Sequence, residues 1–67
     1  MNIFINNQDY EFEENTTLYQ ALVFLQMQHK KGIAVAVNEE IIPQSKWNEI
    51  RLNMEDKIII IGAVAGG

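Results

Sequence analysis

Lys57-Ile58-Ile59-Ile60-Ile61-Gly62-Ala63-Val64-Ala65-Gly66-Gly67 is the stretch of sequence on which the fold depends. The isoleucine run that follows Lys57 is typical of a strand that is buried on at least one face. From Gly62 onward the side chains are small, so this part offers little apolar surface to bury. We therefore predict an anchored strand that leads into an extended, flexible tail over residues 62–67. If the natural chain stops at Gly67, the tail ends in a free carboxylate, which is the best candidate for the protein's chemistry.

The composition indicates one small acidic domain. The chain has 67 residues, of which 48% are hydrophobic, no cysteine, and a formal net charge of −4. The lack of cysteine excludes a disulfide scaffold, a thiolate zinc site, an iron–sulfur cluster and a cysteine nucleophile, and it suits a reducing, cytoplasmic setting. With 5 Lys and Arg residues against 9 Asp and Glu, the charge argues against binding to nucleic acid or an anionic membrane. We also expect no membrane span, since no apolar run approaches ~20 residues, and no signal peptide.

Two strands and a hairpin are predicted at the N-terminus. Ile3 and Ile5 alternate with more polar residues, which indicates a strand with one buried face, although Phe4 places an aromatic ring on the other side. A turn over residues 6–9 joins it to a second strand, in which Tyr10 and Phe12 alternate with acidic residues.

An amphipathic helix is predicted next. Thr17 and Gln20 have the spacing of a capping box at the start of a helix. The apolar stripe that follows has helical spacing and consists of Leu18, Ala21, Leu22 and Leu25. We expect the helix to continue to about His29, with Lys30 and Lys31 near its negative end and Gly32 closing it.

The remaining elements complete a two-layer α+β fold. Residues 33–37 predict an internal strand, and residues 41–42 a short strand that Pro43 stops. Ser45 could cap a helical turn that carries Trp47, which we expect to be a core residue. Because a single helix can cover only one face of the sheet, the most hydrophobic strand, from Lys57, should lie in the middle beside the first strand.

The last strand should place its isoleucines on opposite faces of the sheet. We predict that Ile58 and Ile60 face the helix, while Ile59 and Ile61 join Phe4 on the uncovered face. An exposed apolar cluster of this kind is typical of a protein–protein contact surface. We therefore predict that Phe4, Ile59 and Ile61 bind a partner.

Several short motifs along the chain occur in the order of a known family. They are Thr17-Leu18, Val37-Asn38, Ile42-Pro43 followed by Trp47, Asp56-Lys57-Ile58, and the end Ala63-Val64-Ala65-Gly66-Gly67. With these residues and its order of elements, the chain resembles the ubiquitin-like β-grasp fold and, within it, the thiamine-biosynthesis sulfur carrier family. The resemblance covers the whole chain, residues 1–67, as a single domain. It implies a mixed sheet of four to five strands with one main helix packed on one face.

The resemblance implies a carrier, not an enzyme. Gly67, preceded by the conformationally free Gly66, would be adenylated by an E1-like adenylating enzyme that uses ATP and Mg²⁺. The adenylate would then be converted to a thiocarboxylate with sulfur from a donor such as a cysteine desulfurase system. Thiazole synthase would receive the sulfur, and Ala63, Val64 and Ala65 would contact the partners. The chain itself would bind no cofactor and no metal.

Three other functions remain open at this stage. The same fold is used by a carrier of the molybdopterin pathway and by ubiquitin-like protein modifiers. A β-grasp module that only binds other proteins, without chemistry at its end, is an alternative of a different class.

Overall fold

The computed structural model describes residues 1–62. In this range the chain forms β1 (Asn2–Ile5), β2 (Gln8–Glu11), α1 (Leu18–Phe24), β3 (Ile33–Val37), β4 (Glu40–Ile41), a 3₁₀ turn (Gln44–Lys46) and β5 (Lys57–Gly62). The strands form one sheet in the order β2-β1-β5-β3-β4. β1 and β5 are parallel, and the other neighbouring strands are antiparallel. The predicted mixed sheet, with its last strand in the centre beside the first, is confirmed.

Both antiparallel hairpins of adjacent strands turn on two residues with positive φ. These are Asn6 (50°) and Asn7 (69°) between β1 and β2, and Asn38 (50°) and Glu39 (72°) between β3 and β4. Positive φ at both central positions is the type I′ turn, whose twist matches that of the flanking strands. Asparagine tolerates this conformation better than most residues, which explains its use at three of the four positions.

The start of α1 confirms the predicted capping box. The Gln20 backbone N–H donates to Thr17 Oγ1 at 3.1 Å, and the Thr17 N–H donates to Gln20 Oε1 at 2.9 Å. Two of the N–H groups that a helix start leaves without intrahelical partners are thus satisfied.

The end of α1 differs from the prediction, which continued the helix to His29. The helix ends at Phe24, and Gln26 adopts the left-handed conformation with φ of 61°. The N–H groups of Gln26 and Met27 donate to the carbonyls three and five residues earlier, each at 2.9 Å, which is the Schellman pattern of helix closure. Gly32 does not close the helix but has a positive φ of 76° just before β3. The prediction was wrong because glutamine is not a typical residue for this position.

The segment after β4 packs against the start of α1. Trp47 is buried, as predicted, and its Nε1–H donates to the Ile42 carbonyl at 2.9 Å. The N–H of Leu18 donates to the Ile50 carbonyl at 2.8 Å, so this connector satisfies a further free group of the helix start. The predicted cap at Ser45 is wrong, because the 3₁₀ turn begins after Pro43 without a side-chain cap.

One hydrophobic core lies between α1 and the sheet. Its members come from four of the strands or their ends, from the helix and from the 47–52 connector, and all of them are nearly inaccessible to water. They are Ile3, Ile5, Leu18, Ala21, Leu22, Val35, Ile42, Trp47, Leu52, Ile58 and Ile60. The opposite face of the sheet has no helix over it among residues 1–62.

Candidate functional site

β5 divides its isoleucines between the two faces of the sheet. Ile58 and Ile60 are 1% and 8% exposed, whereas Ile59 and Ile61 are 38% and 62% exposed. The alternation follows from the period of two in a strand, and the choice of pair follows from the register that sets Ile58 beside Ile5 in the core. The predicted assignment of the two pairs to the two faces is confirmed.

Phe4, Ile59 and Ile61, which we call the open-face patch, lie on the uncovered side of the sheet. Phe4 is partly buried and pairs with Lys57, two residues before Ile59 on the same face of β5. Whether this patch binds a partner stays a prediction.

Small neighbours on β3 leave the open-face patch accessible. Ala36 lies opposite Ile59, and Ala34 lies opposite Ile61. Directly opposed residues of antiparallel strands share a face, so each isoleucine has only a methyl group beside it on this side. The sequence prediction missed this role, although the two alanines are the small members of the alternating run 33–37.

A hollow of about 520 Å³ lies over the first half of β5 on the open face. Its apolar wall includes Phe4 and Ile59, and its polar rim carries charges of both signs. The complete lining consists of Phe4, Asn7, Asn38, Glu39, Glu55, Lys57, Ile58 and Ile59. A cavity with an apolar wall and a few polar groups at its edge suits an inserted side chain from another protein.

Asn38 and Asp56 hold the start of β5 in place. Asp56 is only 7% exposed, and its two carboxylate oxygens accept from Asn38 Nδ2 at 2.9 Å and from the Asn53 N–H at 2.7 Å. Asn38 Oδ1 in turn accepts from the Lys57 N–H at 3.0 Å. Buried carboxylates are stable only with such partners. The sequence suggested only turns at these positions, because their pairing joins residues 18 apart.

The end of β5 marks the limit of the described chain. Gly62 is the last residue of the strand and pairs with Ile33 of β3. The prediction that placed Gly62 in the tail is wrong, because β3 extends far enough to pair with it. The other residues predicted to contact partners, Ala63, Val64 and Ala65, lie outside the described residues. So do Gly66 and Gly67, which were predicted to carry the chemistry.

The side chains of residues 1–62 do not form a metal centre: no group of three or more His, Cys, Asp or Glu is close enough together. In the same part of the chain, none of the helices has the length and apolar character needed to span a membrane. What the described structure does offer is an apolar surface on the strand that leads toward Gly67.

Comparison with known proteins gives the family. A model of the ThiS family matches residues 3–67. The chain belongs to the ThiS family. It is 30% identical to the sulfur carrier protein ThiS of Escherichia coli (strain K12), over the full length of both chains.

ThiS proteins of known structure share the fold. A crystal structure of the thiamine biosynthesis protein ThiS from Geobacter metallireducens matches with a TM-score of 0.83, over all of both chains, at 17% identity. A solution structure of a thiamine biosynthesis protein from the same organism matches with a TM-score of 0.78, over all of this chain and 88% of that one, also at 17% identity. The predicted ubiquitin-like β-grasp fold of the ThiS family is confirmed.

Proposed function

We propose that this chain is a sulfur carrier of thiamine biosynthesis and that the carboxyl group of Gly67 carries the sulfur. The observation that carries the proposal is the 30% identity to a sulfur carrier protein over the whole of both chains. The family match also extends through Gly66 and Gly67. In this proposal the chain is a co-substrate of other enzymes and works in the cytoplasm, where ATP is available.

The chemistry begins with activation of the carboxylate. An α-carboxyl group has a reference pKa of about 3.3–3.7, so it is ionised at neutral pH and is a poor electrophile. On an adenylating partner that holds ATP and Mg²⁺, one carboxylate oxygen of Gly67 attacks the α-phosphorus. An O–P bond forms, pyrophosphate leaves, and the product is an acyl adenylate.

Sulfur then replaces AMP. A sulfur nucleophile, in its simplest form hydrosulfide, attacks the acyl carbon of Gly67, and AMP leaves with the electron pair of the broken C–O bond. The product is a C-terminal thiocarboxylate. If the donor is a persulfide such as a cysteine desulfurase forms, a thiol reductant completes the release of the sulfur. Gly67 has no Cβ to obstruct attack at its carbonyl carbon.

Partner recognition is assigned to the open-face patch and to Ala63, Val64 and Ala65. Ile59 and Ile61 are 38% and 62% exposed on the strand that leads directly to these residues. An apolar surface next to the reacting end would let the adenylating enzyme and, later, thiazole synthase bind the globular part while the end enters their active sites. Residues 63–67 can reach up to about 17 Å from Gly62.

The test is intact-mass analysis after incubation with an adenylating enzyme of the pathway, ATP and a sulfur source. We expect the mass to rise by the difference between one sulfur and one oxygen, with fragmentation placing the change at Gly67. Two matched controls are a chain without Gly67 and a chain with one residue added after it, both of which should fold but not be adenylated.

Each contrary result has a distinct meaning. Full adenylation of the extended chain would contradict the role of Gly67. Linkage of Gly67 to lysine side chains of other proteins would indicate a protein modifier. Sulfur transfer to a molybdopterin precursor, without transfer to thiazole synthase, would indicate the molybdopterin pathway.

A further inference from the structure

The side-chain amide of Asn6 continues the row of hydrogen bonds between β1 and β5. The Phe4 N–H donates to the Asp56 carbonyl at 3.0 Å, and the Asn6 N–H donates to the Ile58 carbonyl at 2.9 Å. At the next position in the row, Asn6 Oδ1 accepts from the Ile60 N–H at 2.8 Å, and Asn6 Nδ2 lies 3.3 Å from the Ile60 carbonyl, to which it donates. The contacts on β5 thus recur every second residue, as in a parallel ladder.

The Asn6 side chain takes the place of backbone pairing here because β1 ends before β5 does. After Ile5 the chain turns through Asn6 and Asn7 into β2, while β5 continues to Gly62. Beyond Ile58, therefore, β5 has a neighbouring strand within residues 1–62 only on the β3 side. The primary amide carries a donor and an acceptor side by side, as a peptide group does, so it can replace the missing strand at Ile60.

The residue at position 6 must meet two structural requirements. Its φ of 50° favours asparagine, aspartate or glycine, and its contacts with Ile60 require both an acceptor and a donor. Asn7 and Asn15 also have positive φ, each at 69°, but neither side chain takes part in the contacts on β5. The turn conformation alone therefore does not account for the contacts that Asn6 makes.

We propose that Asn6 is a positioning residue, which holds the second half of β5 in one direction at the point where the chain continues toward Gly67. Ile60 lies between Ile59 and Ile61, so the same contact fixes the orientation of the open-face patch relative to the end of the strand. A strand held on both sides loses less freedom when a partner binds it, and such preorganisation appears as tighter binding. This inference rests on the proposed function, in which an adenylating enzyme must receive the end of the chain.

Hydrogen exchange measured by NMR tests the structural part. In Asn6→Gly, which keeps the positive φ but removes the amide, we expect the Ile60 N–H to exchange about tenfold faster, the effect of losing one hydrogen bond. The Ile42 N–H, which donates to the Val35 carbonyl at 2.8 Å in the β3–β4 hairpin, reports any global loss of stability. Equal acceleration at Ile60 and Ile42 would overturn the inference.

Two further variants distinguish the contact made by the Asn6 side-chain amide from the effect of the turn conformation. Asn6→Asp keeps an acceptor for the Ile60 N–H but places a second carboxylate oxygen, in place of the donor, beside the Ile60 carbonyl, so it should restore only part of the protection that Asn6→Gly loses. Asn15→Gly makes the same type of change at another exposed position of positive φ and should leave the Ile60 N–H unchanged.

Steady-state kinetics of adenylation tests the positioning part. With the adenylating enzyme in fixed amount and this protein as the varied substrate, we expect Asn6→Gly to raise KM about tenfold while kcat stays within about twofold. The measurement is made at a temperature where thermal unfolding shows both chains to be folded. A role in stability alone would leave KM unchanged for the folded protein.

The two proposals fail in different ways. If the unmodified chain is not adenylated, the proposed function fails, and with it the kinetic part of this inference. If the unmodified chain is adenylated and Asn6→Gly has the same KM, only the positioning role of Asn6 is wrong.

Discussion

Four substitutions of isoleucine by valine along β5 test which face of the sheet is open: Ile58→Val, Ile59→Val, Ile60→Val and Ile61→Val. Each removes the same methyl group and keeps the branched Cβ that favours a strand, so the four differ mainly in burial. The exposed fractions at these positions are 1%, 38%, 8% and 62% in chain order. Stability should therefore alternate from one variant to the next.

The magnitudes follow from transfer and cavity terms. A buried Ile→Val change costs about 0.5–1.5 kcal/mol, and we expect Ile58→Val to lie near 1.5 and Ile60→Val near 1 kcal/mol. At Ile59 water can occupy the vacated space, so only part of the ~0.8 kcal/mol of one methyl group is lost, about 0.5 kcal/mol. Ile61→Val should cost about 0.3 kcal/mol or less by the same reasoning.

Urea unfolding followed by tryptophan fluorescence measures these differences. Trp47 is the sole tryptophan and is 3% exposed, so its emission reports the loss of the core. With an m-value of about 1 kcal/mol/M for a small protein, Ile58→Val should lower the midpoint by about 1.5 M and Ile61→Val by about 0.3 M. Equal shifts for all four variants would refute the open face. Repeating the series at two protein concentrations shows whether a second copy covers that face.

Two other substitutions test contacts elsewhere in the fold. Thr17→Ala removes the acceptor for the Gln20 N–H and should destabilise the protein by about 1 kcal/mol, which lowers Tm by about 4–8 °C. Thr17→Ser keeps the acceptor and should behave nearly as the unmodified chain. An unchanged Tm for Thr17→Ala would contradict the capping box. Trp47→Phe keeps an aromatic ring in the core but leaves the Ile42 carbonyl without its donor. It should lower the free energy of unfolding, measured by circular dichroism, by about 1–3 kcal/mol. A decrease well below this would show that water replaces the donor.

The candidate site shows where prediction from sequence succeeds. The exposure of one pair of β5 isoleucines could be predicted because a strand alternates strictly and one helix covers only one face. The rule does not say which pair, and the predicted choice of Ile59 and Ile61 is confirmed by the register that sets Ile58 beside Ile5. The open-face position of Phe4 followed from the same rule. The alanines opposite the two isoleucines were not predicted, since their effect depends on the register between β3 and β5.

Polar contacts between residues far apart in sequence were the main feature that the sequence-based prediction missed. Asn6 reaches Ile60 across 54 residues of sequence, and Asn38 reaches Asp56 across 18. In the sequence, each of these polar residues indicates only a turn, because turns are where such residues are most common. Their second role arises from distances that the chain acquires on folding.

The sequence by itself determined the strands and the capping box at Thr17. These depend on the spacing of apolar residues and on contacts within one turn of helix, so neighbouring residues suffice to specify them. The central place of the isoleucine-rich strand could be predicted because the most hydrophobic strand gains most from neighbours on both sides. Only the tertiary structure decided that the helix ends at Phe24, that β5 continues through Gly62, and that Asn6 supports Ile60. The first depends on a positive φ at Gln26, which glutamine does not favour. The other two depend on contacts with residues far away in sequence, which neighbouring residues do not specify.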